Sequence, residues 1–386
     1  MEVGTTSRTA TLPPESRQET PGRAWWIVGG LLTVMGIAAY GMALGSSSAA
    51  GTSSYPWGPY IVLFYTAASA GAGLLMVGGI ARAARLMDGK RAAQLFAAAC
   101  ALLVTASVLI IVDLGNPAAV FLMYLSANTA SPLFFDALVL PLCIAVAVAG
   151  AVVFARAPYR ENVASTVAAV AGAVAGCVLI GVEAWLLAAC DGREAWGVLL
   201  GAAPAFLQAA ALAAAITVAT GSFARPWRAL MGALFLMVAA STGFDALLGQ
   251  GADTVLGLQL AAIAASPLFW AALACAVAGG VAAFASNAPV VLRVAAALGA
   301  VAVLLVKLVV VWETQSVPAV AGAAPVGAFP FSGLELLVAL GALGLGALVY
   351  AVAALVLQKV SAPLAQTVSK AASVSQLDEL ELQEVL

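Results

Sequence analysis

The sequence predicts an all-α polytopic membrane protein with about ten transmembrane helices. Of its 386 residues, 63% are hydrophobic and 9% are charged, whereas a soluble domain carries roughly 25% charged residues. Apolar runs of 18 residues or more recur along the chain, and a run of about that length crosses the roughly 30 Å hydrocarbon core of a bilayer. Lipid offers the backbone no hydrogen-bonding partner, and the period-two alternation of a membrane barrel is absent, so these runs are expected to be helices.

Ten spans and two polar tails divide the chain. The N-terminal tail, residues 1–23, lacks the apolar core of a signal peptide, and the C-terminal tail, residues 358–386, is polar and acidic. The expected spans cover residues 24–45, 58–81, 92–112, 132–155, 163–189, 197–220, 227–248, 258–285, 290–312 and 333–357. An even number of spans places both tails on the same side of the membrane.

The basic residues predict which side that is. Fourteen of the sixteen lysines and arginines fall in the tails or in loops on one side, and the exceptions are Arg193 and Lys307. Loops rich in Lys and Arg stay in the cytoplasm. We therefore expect a multi-pass protein of the bacterial cytoplasmic membrane with both termini in the cytoplasm.

An internal repeat appears at an offset of 135 residues. Ala130-Ser131-Pro132-Leu133-Phe134 recurs as Ala265-Ser266-Pro267-Leu268-Phe269, and each copy opens a span that runs in the same direction. A serine N-cap before a first-position proline explains Ser-Pro locally but not five matching residues. The expected organisation is two parallel four-helix bundles, residues 24–155 and 163–285, followed by two additional helices in residues 290–357.

The residue inventory limits which cofactors the chain can hold. It contains no histidine, so a bis-histidine haem is excluded. No two of its cysteines form a CxxC pair, and we interpret them as small buried hydrophobic residues rather than as disulfides or ligands of an iron–sulfur cluster; they are Cys100, Cys143, Cys177, Cys190 and Cys275. Any electrons that pass through this protein are therefore expected to travel on a diffusible organic carrier.

Ionisable residues inside the spans concentrate in the half of the membrane opposite the basic loops. Such residues are costly in lipid and usually mark a functional path; here they are Asp113, Asp136, Glu183, Asp245, Lys307 and Glu313. Hydrogen-bonding and aromatic residues lie near the same ends, namely Tyr55, Trp57, Tyr60, Asn116, Tyr124 and Asn128. An apolar slot with an aromatic wall, hydrogen-bond donors and a carboxylate is what a quinone requires.

Several of these residues also have purely structural interpretations. Asp113 can stabilise the turn at Asn116-Pro117, and Lys307 can pair with Glu313 or another neighbouring acid. Glu335 completes a capping box that opens the last span, so we assign it no chemistry. Asp136 and Glu183 lie within apolar stretches and need a partner or a neutral state.

Four motifs resemble the NrfD/polysulfide reductase family of membrane subunits. They are Pro56-Trp57-Gly58-Pro59-Tyr60, Asp113-Leu114-Gly115-Asn116-Pro117, the stretch from Asn128 to Pro132, and Phe331-Ser332-Gly333-Leu334-Glu335. The resemblance covers roughly residues 24–358, and the ten spans are more similar to the hydrogenase and alternative-complex members than to the eight-span polysulfide reductases. Some relatives use a histidine near the quinone, whereas this chain must use Asp, Glu, Tyr or Asn.

The resemblance implies a haem-free subunit that binds menaquinone or ubiquinone near the outer face. It also implies two protein partners: a ferredoxin-like iron–sulfur subunit, and a catalytic subunit that is often a molybdopterin enzyme. The expected proton acceptors are Asp136 and Asp113, and the expected quinone site consists of Trp57, Tyr60, Asp113, Tyr124, Asn128 and Asp136. A proton path or a site in the second bundle would use Glu183, Asp245 and Lys307.

Two other functions remain open at this point. A secondary transporter is the main alternative, although transporters commonly show inverted repeats and polar groups near the midplane. A purely structural membrane anchor is the other, and Asp136 and Glu183 argue against it. The strongly apolar composition and a net charge of −2 do not indicate a nucleic-acid partner.

Overall fold

The predicted fold class is confirmed. The computed structural model describes residues 23–45, 57–114, 120–156, 158, 162–251, 254–318 and 333–384. These residues form thirteen helices and no strand, and ten of the helices are long and apolar enough to cross a membrane. The chain is therefore a multi-pass helical membrane protein whose outer helix faces contact lipid.

The helices are numbered α1 to α13 along the chain. The ten spanning helices are α1 (Arg23–Gly45), α2 (Pro59–Ala83), α3 (Gly89–Asp113), α5 (Pro132–Arg156), α6 (Val163–Ala188), α8 (Ala202–Ala219), α9 (Arg225–Leu248), α11 (Pro267–Ala285), α12 (Pro289–Ser316) and α13 (Gly333–Glu384). Three short helices lie between them: α4 (Val120–Ser126), α7 (Glu194–Leu199) and α10 (Val255–Ala265).

Two of the predicted spans are interrupted. The span expected at 197–220 consists of α7 and α8, which are separated at Leu200 and Gly201. The span expected at 258–285 consists of α10 and α11, because Ser266 is extended (φ −74°, ψ 128°) and Pro267 starts a new helix. At the last span, α13 continues without a break to Glu384, so the expected boundary at residue 358 is not a helix end.

The helices pack into two closed four-helix bundles, but the expected grouping is wrong by one span. In the first bundle α2, α3, α5 and α6 pack around a ring, and in the second α8, α9, α11 and α12 do the same. Helix α1 packs on α13, and α13 also contacts α3 and α5. The first and last spans thus form a pair beside the first bundle, and α2 joins the bundles by packing on α8 and α12.

The order of elements repeats in the two halves. Short helix α4 precedes α5 in the first half, and short helix α10 precedes α11 in the second; their first residues, Val120 and Val255, are 135 residues apart. Each half also places two spanning helices before this pair and one packed helix after it within the described residues. The internal repeat, which the sequence shows as five matching residues, is therefore also present in the order of the helices.

Small residues permit the closest helix contacts. A side chain at Gly73 would collide with the backbone of Ala209, where α2 meets α8, and one at Gly36 would collide with Gly341, where α1 meets α13. Close approach at small residues is the usual way in which membrane helices associate. Gly176 of α6 lies at a similar contact, where a side chain would collide with the backbone of Ala72 and Met76 on α2.

The two ends of the bundles differ in charge. One end, which we call the basic face, carries Arg82, Arg85, Lys90, Arg91, Arg156, Arg225, Arg228 and Arg293. The opposite end, the acidic face, carries Asp113, Asp191, Glu194, Asp245, Glu313 and Glu335. Arg193 is an exception at the acidic face and Asp88 at the basic face, and the end of α13 that extends from the basic face carries further acidic residues.

Candidate functional site

Buried polar side chains from four helices meet near the contact of the two bundles. Tyr65 and Ser69 lie on α2, Asp136 on α5, Glu183 on α6 and Lys307 on α12, and each side chain is at most 5% exposed. We call these five residues the acid–lysine cluster. Three of the four helices belong to the first bundle, and Lys307 reaches them from the second.

Lys307 links the bundles. Its Nζ donates a hydrogen bond to the Ser69 hydroxyl at 3.1 Å, and it lies close enough to Glu183 for a direct electrostatic interaction. Glu183 in turn interacts with Asp136, and Tyr65 lies near both carboxyl groups. The cluster therefore forms one connected set of polar groups in an apolar interior.

Three polar atoms of the cluster have no hydrogen-bond partner among the described residues. They are Asp136 Oδ1, Glu183 Oε1 and the Tyr65 hydroxyl. A buried polar atom without a partner costs about 1–3 kcal/mol, so a small polar molecule or a transferred proton that met these atoms would be stabilised. The cluster contains two carboxyl groups and one ammonium group, so it is electrically neutral when one carboxyl group carries a proton and the lysine is charged.

Two stacked tryptophans lie beside the cluster. Trp57, just before α2, stacks on Trp196 of α7 with ring centroids 4.3 Å apart, and its ring lies 6.0 Å from that of Tyr65. Gln315 of α12 holds the Trp57 backbone through both its N–H and its carbonyl, at 3.1 and 3.0 Å. The Trp196 indole donates to Thr314 at 2.6 Å. The second bundle thus fixes an aromatic surface above Tyr65.

The cluster slopes from the acidic face toward the middle of the membrane. Asp136 is the fifth residue of α5, which places it about 6 Å along the helix from its start at 1.5 Å per residue. Ser69, on α2, lies about 15 Å from the start of its helix by the same measure. Because the hydrocarbon core is about 30 Å thick, the cluster spans much of one half of it.

The residues predicted for the quinone site fall into separate places. Trp57 and Asp136 lie at the acid–lysine cluster, as described above. Asp113 and Tyr60 instead interact electrostatically with Glu335 at the start of α13, and neither is fully buried. This second group, Tyr60, Asp113 and Glu335, lies where α2, α3 and α13 end at the acidic face.

The remaining predicted quinone ligands make local contacts. The Tyr124 hydroxyl donates to the Ala137 carbonyl at 2.7 Å, and Asn128 Oδ1 accepts the Ala130 N–H at 3.1 Å. Both side chains are exposed, and their hydrogen bonds stabilise the chain segment that leads into α5. Tyr55 and Asn116 lie outside the described residues, as does Ser332 of the predicted capping box.

The residues assigned to a proton path are divided as well. Glu183 and Lys307 belong to the cluster, whereas Asp245, near the end of α9, is half-buried and outside it. Of the two partners considered for Lys307, the structure selects the neighbouring acid Glu183 rather than Glu313, which is half-buried near the end of α12.

Sequence reasoning missed Tyr65 and Ser69. Their spacing of four residues places them on one face of α2, and a polar pair on one face of an otherwise apolar helix is a signal that could have identified them. Among the described residues, no three Cys, Asp or Glu side chains converge as a set that could hold a metal ion.

No protein-family model matches the sequence, and no curated protein matches it either.

Proposed function

We propose that this chain is the quinone-reactive membrane subunit of a multi-subunit oxidoreductase. It would exchange electrons between the membrane pool of menaquinone or ubiquinone and a peripheral ferredoxin-like iron–sulfur subunit, without haem. That subunit would pass them to or from a separate catalytic subunit, such as a molybdopterin enzyme. The four sequence motifs that resemble NrfD/polysulfide reductase subunits support this proposal, and the lack of histidine in the chain is the reason why it includes no haem.

One observation carries the proposal. Asp136 and Tyr65 present a carboxyl oxygen and a hydroxyl without partners, beside the stacked Trp57–Trp196 pair. A quinol has two hydroxyl groups that can donate to a carboxylate oxygen such as that of Asp136, and a quinone has two carbonyl oxygens that can accept from the Tyr65 hydroxyl or from a protonated Asp136. The flat ring of either form packs on aromatic surfaces. The residues present therefore fit a quinone headgroup at the acidic-face end of the cluster.

The chemistry assigned to the chain itself is proton handling. A quinol supplies two electrons and two protons on oxidation. The Tyr65 hydroxyl orients the headgroup. The unpaired oxygen of Asp136 accepts the first proton and passes it to Glu183, whose Oε1 also lacks a partner, and Asp136 then accepts the second proton. Glu183 and Lys307 continue the polar path toward the middle of the membrane, while the electrons leave to the iron–sulfur subunit. For quinone reduction the same groups donate protons to the quinone instead of accepting them from the quinol.

The proposed location follows from the charged faces. Because loops rich in Lys and Arg stay in the cytoplasm, we assign the basic face to the cytoplasmic side of a bacterial cytoplasmic membrane. Both termini then lie in the cytoplasm, and the quinone site lies toward the outer face.

Co-purification and spectroscopy test the proposal. A tag on this chain should isolate an iron–sulfur subunit, identified by mass spectrometry, whose clusters become reduced when menaquinol or ubiquinol is added and are followed by electron paramagnetic resonance. The chain separated from its partners should show no haem Soret band. Isolation without any iron-containing partner, or clusters that do not respond to quinol, would overturn the proposal.

A proton-coupled transporter is the second candidate, and one observation favours it. Lys307 of the second bundle meets Glu183 of the first, and ion-coupled transporters place their sites between repeats, which in some folds run in parallel. A transporter requires no iron–sulfur partner and should move a solute in vesicles that contain this chain alone. Proton-driven uptake in such vesicles would favour it over the redox subunit, and over the purely structural anchor.

A further inference from the structure

A crevice of about 560 Å³ lies on the basic-face side of the molecule, between α3, α8 and α13. It is distinct from the acid–lysine cluster and contains none of its residues. Its volume is within the range of pockets that hold small ligands. From Arg91 at one end to Thr105 at the other it extends about 21 Å along α3, somewhat more than the roughly 15 Å of one leaflet's hydrocarbon.

The crevice has an apolar length and a polar end. Alanines and leucines make up half of its lining residues, and Arg91, Gln94 and Gln358 line the end at the basic face. Trp25 and Leu343 border it, and they are 52% and 43% exposed. The crevice therefore opens sideways, toward lipid, and its polar end lies at the depth of the headgroups.

The polar end is cationic. The Arg91 guanidinium donates to the Thr217 and Thr220 carbonyls of α8 at 2.6 and 2.9 Å, to the Thr220 hydroxyl and to Gln94. All of these acceptors are neutral. The carboxylate of Asp88 accepts from the Arg91 backbone N–H at 2.6 Å and interacts with the guanidinium charge, but it does not line the crevice. Arg293 also donates to the same end of α8, at the Ala219 carbonyl.

We propose that this crevice binds one anionic phospholipid, with its phosphate at Arg91 and one acyl chain along the apolar length. Basic pockets between membrane helices are the usual sites for anionic lipid headgroups. The described lining residues include no carboxylate, so the crevice lacks the proton acceptor that a redox-active quinone site uses. The proposal rests on the membrane fold and is independent of the proposed function.

The test measures lipid retained by the full chain, purified in a non-ionic detergent and examined by native mass spectrometry. Added phosphatidylglycerol should bind with a stoichiometry of one, and phosphatidylcholine with the same acyl chains should bind about fivefold more weakly, because one basic residue near a membrane surface contributes about a fivefold preference for anionic lipid. Arg91→Gln should remove this preference. Arg225→Gln is the matched control, because Arg225 is exposed on the same face and outside the crevice.

Two further variants separate charge from fold. Arg91→Lys keeps the charge and should keep the preference for phosphatidylglycerol, whereas a merely structural arginine would lose it in both substitutions. Ala347→Phe should fill the apolar length and weaken the binding of both lipids. Equal retention of the two lipids by the unmodified chain would overturn the proposal, and so would a quinone that occupies the crevice and is lost in Ala347→Phe.

Discussion

Lys307 Nζ lies 3.1 Å from the hydroxyl of Ser69, so a lysine of the second bundle is anchored inside the first. Both side chains are 2% exposed. An ammonium group so deeply buried is tolerated only with polar partners and a counter-charge, and Ser69 and Glu183 supply them. This hydrogen bond explains why α12, a helix of the second bundle, contacts α2 at mid-membrane depth.

Lys307→Met should lower the stability of the protein by more than the small change in side-chain size would suggest. The substitution removes the hydrogen bond to Ser69 and the positive charge that interacts with Glu183, and leaving a buried charge without its partner costs about 3–5 kcal/mol. We expect a lower Tm in detergent, and a smaller loss in the double variant Lys307→Met/Glu183→Gln than the sum of the single losses. The control is Lys90→Met at the basic face. Additive losses would show that the two side chains do not stabilise each other.

Asp136→Asn should slow quinol oxidation by about 100-fold or more, within the range attributed to a general base. The amide keeps the shape of the side chain but cannot accept the proton. The measurement is the quinol-dependent rate in membranes, normalised to assembled complex. Glu313→Gln is the matched control, since Glu313 lies toward the same face but outside the cluster. A wild-type rate in Asp136→Asn would remove this residue from the quinone site.

Tyr65→Phe separates orientation from proton transfer. The substitution removes only the hydroxyl that lacks a partner, so stability should not fall, because no hydrogen bond to a described residue is lost. We expect a higher KM for quinol with a smaller change in kcat. An unchanged KM would mean that the headgroup does not meet Tyr65, even if Asp136 is essential.

The sequence was sufficient to locate the membrane spans but not to predict which helices pack against one another. Hydropathy located all ten spanning helices, because length and apolarity are local properties of the chain. The repeat identified which helices correspond, but correspondence does not specify contact. The packing of α1 on α13, about 300 residues later in the chain, therefore could not be predicted. As a result, each predicted bundle began one span too early in the sequence.

The candidate site was also predicted only in part, because the sequence identifies unusual residues but not which helices pack against one another. Asp136 and Glu183 are conspicuous in apolar stretches, so composition identified them without a structure. Tyr65 and Ser69 are ordinary membrane-helix residues, and only the central position of α2 makes them part of the site. Asp113 and Tyr60 carry suitable groups, yet they lie with Glu335 beside α13, whose position no local pattern revealed.

Topology is testable independently of chemistry. If the basic face is cytoplasmic, alkaline phosphatase fused after Lys359 should be inactive, and the same enzyme inserted after Gly192, at the acidic face, should be active. Green fluorescent protein at the two positions should give the opposite pattern. Phosphatase activity after Lys359 would reverse the orientation and place the acid–lysine cluster on the cytoplasmic side.

The last prediction decides between the two acidic groups. Asp113 interacts with Glu335 and Tyr60 at the ends of α3, α13 and α2, and this group is less buried than the acid–lysine cluster. If it lies only at the entrance, Asp113→Asn should slow quinol oxidation less than Asp136→Asn, and Glu335→Gln should change it little.

The comparison is informative because all three substitutions exchange a carboxyl for an amide of the same size. Each assembled complex should be measured with a short-chain and a long-chain quinol. A residue at the entrance affects the bulky substrate more, whereas a residue at the headgroup slows both equally. A larger loss in Asp113→Asn than in Asp136→Asn, equal for the two quinols, would move the headgroup to the contact of α2, α3 and α13. The acid–lysine cluster would then serve only to join the bundles or to carry protons.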